Sequence, residues 1–240
     1  LKPANRIFLW TAPRVMSTAL QRSVAQLPRT LTVHEPLIEP YYFGDKMVDD
    51  AVLSQTPSDQ VQFGVKKKGF EQIMYDLVKD YPEYDTIWVK DHAFRGIAFE
   101  DIFPSTILNL YKHSFLIRDP NKSIKSFHRT AREQAIATGI DFSPETWKGW
   151  GWKDLSLMFD KITDLGHKPI VMDAKDIMQY PKEMFMEYCK LTDMKYDDCM
   201  INWNLEIDGD WNRTSWHEKL VKSKTFWSKD NHYEQDKQYD

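Results

Sequence analysis

The stretch from Arg6 to Ser23 constrains the fold more than any other part of the sequence. It begins with the short apolar run Arg6–Trp10, which predicts a strand, and continues through a tight loop that contains Pro13. Ser17 and Thr18 then offer capping hydroxyls to a helix. The apolar residues of this helix recur at the helical spacing i, i+4, i+7, as Leu20, Val24 and Leu27. A strand that runs through a short loop into a helix is typical of an α/β unit.

The loop of this unit predicts an anion site. Backbone N–H groups at a helix N-terminus have no acceptor within the helix and lie at the positive end of its dipole, so they suit phosphate or sulfate. Arg14 adds a permanent positive charge and a planar set of donors. The glycines and the lysine of a GxxxxGK[ST] nucleoside-triphosphate loop are absent from this stretch of the sequence.

Strand-like and helix-like segments alternate along the chain. The predicted strands are Arg6–Trp10, Leu31–His34, Thr86–Lys90, Ser114–Arg118 and Pro169–Met172. The predicted helices are Ser17–Leu27, Lys68–Asp80, Asn121–Ala137, Lys153–Leu165 and Lys182–Leu191. This alternation predicts an α/β fold with a mainly parallel central sheet flanked by helices. Ligands bind beyond the carboxyl ends of the strands in such sheets, so the residues after each strand are candidates for function.

A second anion site is predicted where the strand Ser114–Arg118 ends. Asp119-Pro120 breaks the strand, and Asn121 can cap the helix that follows. Ser126 lies about a turn and a half into this helix at roughly 3.6 residues per turn. The side chains of Arg118 and Ser126 can therefore converge on one anion.

Lys90 and His92 lie two residues apart at the end of another predicted strand. Their side chains project from the same face if the strand persists. A histidine with an ordinary pKa near roughly 6.5 can accept a proton at neutral pH. His34-Glu35-Pro36 ends a further strand, and Glu35 is an alternative base; a structural hydrogen bond is the competing interpretation of this pair.

These three motifs together resemble those of the sulfotransferases that use 3′-phosphoadenosine 5′-phosphosulfate (PAPS). Pro13-Arg14-Val15-Met16-Ser17-Thr18 resembles their 5′-phosphosulfate loop, although Met16 stands where the family usually has glycine. Arg118-Asp119-Pro120 with Ser126 resembles the motif that binds the 3′-phosphate, and Lys90-Asp91-His92 resembles a Lys-x-His strand end. The resemblance covers roughly the first half of the chain, and it implies a fold similar to that of P-loop NTPases.

The resemblance also implies roles for particular residues. Arg14 to Ala19 would surround the 5′-phosphosulfate, namely Arg14, Val15, Met16, Ser17, Thr18 and Ala19. Lys90 and Arg14 would offset charge on the transferring group, and His92 would take the proton of the acceptor. Many cytosolic members have an aromatic residue at the position of Ala19 and a late Arg-Lys-Gly string, and both are absent from this sequence. The candidates to replace the string are Arg213, Lys222 and Lys224, and no metal is implied.

Acceptor recognition is assigned to aromatic side chains in segments that are predicted as loops. Such side chains suit an apolar or ring-containing alcohol, with ordinary core packing as the alternative. The predicted pocket consists of His34, Glu35, Tyr41, Tyr42, Phe43, Trp147 and Trp150. The segment Thr138–Trp150 is a candidate lid.

Composition and net charge limit the kinds of partner and the cellular compartment that are expected for this chain. The chain of 240 residues is predicted to form a single domain over 1–240, with a polar, fraying tail over 228–240. A net charge of −4 gives no general attraction to nucleic acid or acidic membranes, so the expected partner is a small hydroxylated molecule. Two cysteines are expected to be reduced, and the location is expected to be cytoplasmic. A removed targeting segment before Leu1 stays an open alternative, and the oligomeric state is left open.

Two other functions remain open from the sequence. A small-metabolite kinase of P-loop ancestry would need a phosphate-loop lysine and a magnesium carboxylate, and the sequence shows neither clearly. A module that binds a 3′,5′-bisphosphate nucleotide without turnover would need Arg118 and Ser126 but not Lys90 and His92.

Overall fold

The computed structural model of the chain describes residues 4–43, 48, 69–139, 141, 151–203, 220 and 223–226. Five strands are present: β1 (Asn5–Thr11), β2 (Thr30–His34), β3 (Thr86–His92), β4 (Lys112–Ile117) and β5 (Ile170–Asp173). The described helices are α1 (Ser17–Val24), α2 (Ile38–Tyr42), α3 (Phe70–Val78), α4 (Ala93–Ala98), α5 (Ser105–Leu108), α6 (Pro120–Thr138), α7 (Trp152–Asp164), α8 (Ala174–Gln179) and α9 (Pro181–Leu191). A 3₁₀ turn over Asp198–Met200 follows.

The five strands form one sheet in the order β2-β3-β1-β4-β5. Every strand pair in this sheet is parallel, which confirms the predicted α/β fold. The central strand β1 is buried along most of its length, as expected for a parallel strand that is covered on both faces. Thr11 at its end lies in register with His92 of β3 and Leu116 of β4. The loops after these three strands therefore emerge side by side.

The strand order places a topological switch point at this edge. The chain leaves β1 towards β2 on one side, whereas it leaves β4 towards β5 on the other side. Ligands of open α/β sheets bind in the crevice at such a point, outside the carboxyl ends of the strands. Here the crevice is flanked by the loop after β1 and the turn after β4.

The predicted element boundaries differ from the structure in two informative places. Asp119, not Asn121, is the N-cap of α6: its carboxylate accepts a hydrogen bond of 2.9 Å from the Asn121 N–H, and Pro120 fills the first helical position. The expectation that Asn121 caps the helix is therefore wrong. The helix α6 also runs through Thr138 and ends at Gly139, whose φ of 75° is left-handed. The rest of the candidate lid up to Trp150 falls largely outside the described residues.

Helix α1 is shorter than predicted. It ends at Val24, and tight turns lead from Ala25 to Leu27 before Pro28, which cannot continue a helix. Four short helices, α2, α4, α5 and α8, are not predicted from the sequence, because segments of four to six residues are too short to show a helical periodicity.

Cys189 and Cys199 are both free thiols, as predicted. Burial raises the pKa of Cys189 to about 12, so this thiol stays protonated at neutral pH. No helix in the described part of the chain is long and apolar enough to cross a membrane. The tail over 228–240 lies outside the described residues, and a single domain over the whole chain stays a prediction.

Candidate active site

The loop after β1 has the backbone of an anion-binding concavity. Arg14 and Met16 both have left-handed conformations, with φ of 65° and 70°. Alternation of left-handed residues with ordinary ones turns successive N–H groups toward a common point. The N–H groups of Ala19 and Leu20 donate to the Met16 carbonyl and are the first bonds of the helix. Those of Ser17 and Thr18 consequently have no acceptor within the helix.

The predicted capping role of Ser17 and Thr18 is wrong. Met16 occupies the N-cap position, no side chain caps α1, and both hydroxyl residues are already helical. The conformation of Met16 instead explains why this loop can lack the glycine that PAPS-dependent sulfotransferases usually have at this position. It adopts the left-handed conformation that glycine reaches without steric cost, and its side chain packs against the core. The neighbouring Val15 and Ala19 are buried core residues, so only their backbone can serve a ligand.

Arg14 joins the loop after β1 to the turn after β4. Its Nε lies 3.3 Å from the Ser126 Oγ of α6, and its carbonyl accepts a hydrogen bond of 2.9 Å from Arg118 Nη1. Ser126 and Arg118 are 8% and 9% exposed, which makes this a built cluster rather than a set of surface side chains. Arg118 and Ser126 therefore both contact Arg14, Arg118 at the backbone carbonyl and Ser126 at the guanidinium. Their convergence on one anion stays a prediction.

A second cluster of charged side chains lies on the other side of β1. The buried carboxylate of Glu35, just after β2, contacts the Lys90 ammonium, and its other oxygen accepts a bond of 2.8 Å from Arg95 Nη1. Nε2 of His92 is 3.4 Å from Glu35 Oε1. Lys90 and His92 therefore project from the same face of β3, as predicted.

Asp91, between Lys90 and His92 in β3, anchors this cluster. Its carboxylate accepts 2.7 Å hydrogen bonds from the N–H groups of His92 and Leu37 and a 2.8 Å bond from Arg95 Nη1. These bonds tie the end of β3 to the start of α2, just beyond Glu35. Glu35 itself has a left-handed φ of 44°, which turns the chain sharply after β2.

The electrostatics of the cluster fix the charge state of each member. Burial alone would raise the pKa of Glu35, but its interactions with Lys90, His92 and Arg95 outweigh burial and hold that pKa well below its usual value. Burial lowers the pKa of His92 well below its usual value, and Lys90 and Arg95 lower it further against the opposing charge of Glu35. Glu35 is therefore a carboxylate and His92 a neutral imidazole at neutral pH.

Thr11 connects the two clusters through the end of β1. Its hydroxyl donates to the Asp91 carbonyl over 3.1 Å and lies 2.9 Å from His92 Nδ1. Which ring nitrogen of His92 carries the proton depends on whether the Thr11 hydroxyl donates to Nδ1 or accepts from it. The loop after β1 begins at the next residue, Ala12.

The aromatic residues predicted for the acceptor pocket are mostly inside the protein. Tyr41 and Tyr42 are 7% and 5% exposed, and Tyr41 packs edge-on against Phe94 at a centroid distance of 5.3 Å. This burial favours the core-packing alternative, with Phe43 only partly covered. His34 contacts Gln21 Oε1 over 2.7 Å, which is the structural hydrogen bond considered for that pair. Trp147 and Trp150 lie outside the described residues.

Of the basic residues considered late in the chain, only Lys224 is described. Its carbonyl accepts a hydrogen bond of 2.9 Å from the Trp203 N–H, and the Trp203 indole donates to Ser23 of α1 over 3.1 Å. This contact places Lys224 beside the second half of α1 rather than its N-terminus. Arg213 and Lys222 lie outside the described residues, so the role of all three remains a prediction.

Sequence reasoning missed three residues of the site: Thr11, Asp91 and Arg95. The i, i+4 spacing of Asp91 and Arg95 is a recognisable ion-pair signal, but it applies to helices, and Asp91 lies in strand β3. Thr11 directly follows the predicted strand Arg6–Trp10 and so lies among the positions where function is expected, but its residue type assigns it no role. No group of three or more potential metal ligands is found within the described ranges.

The fold and the site define a class: a parallel α/β protein of P-loop-like architecture with an anion loop that lacks the P-loop lysine. The family model described as "Sulfotransferase domain" matches residues 5–237. The chain therefore belongs to the sulfotransferase domain family.

Two solved structures resemble this chain in fold. They are the sulfotransferase domain of the olefin synthase of Synechococcus PCC 7002 (TM-score 0.53, 16% identity, covering 94% of this chain and 86% of that one) and the sulfotransferase domain from the curacin biosynthetic pathway (TM-score 0.53, 14% identity, 93% and 87%).

Two curated relatives come from Arabidopsis thaliana. They are branched-chain-amino-acid aminotransferase-like proteins 1 and 2, which are 25% identical over 235 residues and 24% identical over 228 residues. The alignments cover 95% and 92% of this chain but only 37% and 36% of those proteins. The chain thus spans little more than a third of the length of these relatives.

Proposed function

We propose that this chain transfers the sulfuryl group of PAPS to a hydroxyl group, less readily an amine, of a small-molecule acceptor. The observation that carries the proposal is the contact of Arg14 with both Ser126 and Arg118. A donor with a phosphosulfate at its 5′ end and a phosphate at its 3′ end needs two anion sites. The loop after β1 and the turn after β4 offer two such sites within one cluster.

The chemistry of the donor set fits this ligand. The N–H groups of Ser17 and Thr18 would hold the 5′-phosphosulfate at the positive end of α1. Arg118 and Ser126 would hold the 3′-phosphate, and Arg14 lies between the two sites. The bound PAPS supplies an activated sulfuryl group whose S–O bond to the 5′-phosphate is the bond that breaks.

Lys90 and His92 would act on the transferring group and on the acceptor. The Lys90 ammonium is 1% exposed, so its charge is poorly screened by water and can offset negative charge that develops on the sulfuryl oxygens. Nε2 of His92 would take the acceptor proton as the acceptor oxygen bonds to sulfur, and the electron pair of the broken S–O bond would leave on the phosphate. Glu35, 3.4 Å away, would then stabilise the imidazolium.

Glu35 is the poorer candidate for the base. Its pKa is held well below the usual value because, despite its burial, Lys90, His92 and Arg95 all favour its charged form. A carboxylate with so low a pKa takes up a proton weakly at neutral pH. We therefore assign the base role to His92.

We also propose that the chain acts in the cytoplasm, on a small molecule rather than on nucleic acid or a membrane. The net charge of −4 supports the proposed kind of partner, because it gives no general attraction to polyanions such as nucleic acid or acidic membranes. The acceptor would enter on the side of the sheet edge where Phe94 stacks on His92 at a centroid distance of 5.7 Å.

The test separates an enzyme from a nucleotide-binding module. Replacing His92 with Ala should abolish sulfuryl transfer from PAPS to a panel of small alcohols and phenols, measured as release of 3′-phosphoadenosine 5′-phosphate. The affinity for that product should stay within about threefold of wild type, because His92 serves the acceptor side. His167→Ala, at the far end of the sheet before β5, is the matched control and should keep both properties. Unchanged turnover in His92→Ala would refute the base assignment, and absent turnover in the wild type would favour the binding module.

A further inference from the structure

Arg95 is a buried arginine to which the proposed reaction assigns no part. It lies in α4, immediately after the Lys90-Asp91-His92 strand end, and is 4% exposed. Its Nη1 lies 2.8 Å from Glu35 Oε2 and 2.8 Å from Asp91 Oδ1. One guanidinium therefore bridges two buried carboxylates.

The position of Arg95 is strongly fixed. Asp91, one of its two partners, is itself held by the backbone N–H groups of His92 and Leu37. The guanidinium also lies over the rings of Phe94, at 5.0 Å, and Tyr42, at 5.8 Å. Burial would lower the pKa of Arg95, but the charges of Glu35 and Asp91 raise it, so the group is always charged.

Lys90 is held much less firmly. Among the described residues its ammonium contacts only the Glu35 carboxylate, although an ammonium has three donors. Glu35 is thus shared, with Oε1 toward Lys90 and His92 and Oε2 toward Arg95. The described cluster balances two carboxylates, Glu35 and Asp91, with two permanent cations, Lys90 and Arg95.

We propose that Arg95 is a positioning residue, the permanent counter-ion of Glu35, which allows Lys90 to exchange Glu35 for the transferring sulfuryl group. This inference rests on the proposed function, since it supposes that Lys90 serves the donor. A buried carboxylate left without a cation is strongly destabilised, so Lys90 can leave Glu35 only if another cation stays. Arg95 stays because Asp91 holds it in place. Glu35 in turn keeps its orientation toward His92 throughout.

The proposal predicts that loss of Arg95 lowers kcat and leaves nucleotide affinity nearly unchanged. Without Arg95, Lys90 becomes the sole permanent cation on Glu35 and is retained there, so the chemical step suffers while the nucleotide sites of Arg14 and Arg118 remain. We expect Arg95→Gln to lower kcat about 100-fold, the loss typical of a misplaced catalytic group. The Kd of 3′-phosphoadenosine 5′-phosphate should change by less than about threefold.

A double-variant cycle with Glu35 tests whether Arg95 acts through that residue. In a Glu35→Gln background the carboxylate that retains Lys90 is gone, so adding Arg95→Gln should lower kcat by less than about threefold. Arg95→Lys keeps the charge and should recover most of kcat. Arg29→Gln is the matched control, because Arg29 pairs with Asp85 over 3.0 Å at the exposed opposite end of the sheet. The double variant keeps the test possible even if Arg95→Gln alone does not fold.

Several results would overturn the proposal. These are wild-type kcat in Arg95→Gln, equal losses in the wild-type and Glu35→Gln backgrounds, or a loss of nucleotide affinity that matches the loss of kcat.

A readout without turnover separates this proposal from the proposed function. The charged and titratable groups that face His92 are Glu35, Lys90, Arg95 and His34. NMR titration of the His92 ring in the ligand-free protein should show a higher pKa in Arg95→Gln, because a neighbouring positive charge is removed, and a lower one in Glu35→Gln. Unchanged titration in both variants would contradict the charge linkage even if the wild type transfers sulfate. If the titrations shift as expected but the wild type does not act on PAPS, the proposed function fails and the linkage stands.

Discussion

At the scale of single residues, the site consists of residues whose backbone conformation or buried charge costs free energy of folding. Arg14, Met16 and Glu35 all have left-handed φ values, and a non-glycine residue in that region costs roughly 1–3 kcal/mol. Glu35, Lys90 and Arg95 are charged and buried, which proteins tolerate when the charges are paired. Five such residues flanking one end of β1 indicate that function, rather than stability, determines this edge of the sheet.

Arg118 offers a residue-scale prediction about which phosphate it binds. We expect Arg118→Gln to weaken binding of 3′-phosphoadenosine 5′-phosphate by about 10–100-fold, the range for one hydrogen bond to a charged group. AMP lacks the 3′-phosphate, so its affinity should change by less than about threefold. Isothermal titration of both nucleotides measures the difference, with Arg132→Gln on the exposed side of α6 as control. Equal losses for both nucleotides would mean that Arg118 only braces the loop through the Arg14 carbonyl.

At the scale of elements, the site depends on how α4 packs. This short helix follows His92 directly and lies against α7 and β3, so its placement sets where Arg95 and Phe94 lie. Gly96 permits the contact. A Cβ at this position would lie 2.6 Å from Met158 Cε and 2.8 Å from Trp10 Cζ3.

Gly96→Ala should therefore destabilise the protein despite its better helix propensity. Overpacking costs about 1–3 kcal/mol, whereas the propensity gain is at most about 1 kcal/mol, so we expect the free energy of unfolding to fall by about 1–2 kcal/mol. Urea denaturation measures the change. In a Met158→Ala background the nearer contact is gone, and the same substitution should cost less. An equal cost in both backgrounds would contradict the packing explanation.

The elements that could be predicted from the sequence are those whose apolar run or hydrophobic periodicity extends over several residues. The apolar run of β1, the strand end at Lys90 and the polar-apolar period of α6 all stand out locally, and each was found within one or two residues of its place. The N-cap of α1 was not, because methionine is not a capping residue type and Met16 takes its left-handed φ in the loop after β1. The N-cap of α6 was missed although Asp119 before Pro120 is a local capping signal. The tertiary contact of Arg14 with Ser126, 112 residues apart, was not predicted either, because the family resemblance assigned the two residues to different ends of the donor.

At the scale of the whole molecule, buried histidines make stability depend on pH. His113 accepts a 3.1 Å hydrogen bond from the Trp10 indole and contacts the Leu108 carbonyl over 2.9 Å, so it joins β1, β4 and α5 as a neutral ring. Burial lowers its pKa to about 4. The pKa of His92 is lowered too, mainly by burial.

These shifts predict a loss of stability in mild acid. Between pH 6.5 and 4 the unfolded state binds a proton at His113 that the folded state does not, so the free energy of unfolding falls as pH falls through this window. The difference between the ordinary histidine pKa of 6.5 and the pKa of about 4 in the folded protein corresponds to about 3 kcal/mol of stability for His113. The lowered pKa of His92 makes stability fall with pH in the same direction. Denaturation across that range measures the slope. His113→Asn, which retains an acceptor for Trp10, should flatten it, and an unchanged slope would contradict the assignment.

The most direct test of the central claim is a thermal shift with 3′-phosphoadenosine 5′-phosphate, compared with AMP and with ATP plus magnesium. A ligand at about 100 times its Kd adds about 2.7 kcal/mol to folding stability, or roughly 5–10 °C for a chain of this size. We predict a shift of this order with the bisphosphate and little with AMP, because in the proposed function Arg118 and Ser126 would bind the extra phosphate. A shift with ATP and magnesium but none with the bisphosphate would contradict the account and favour a kinase.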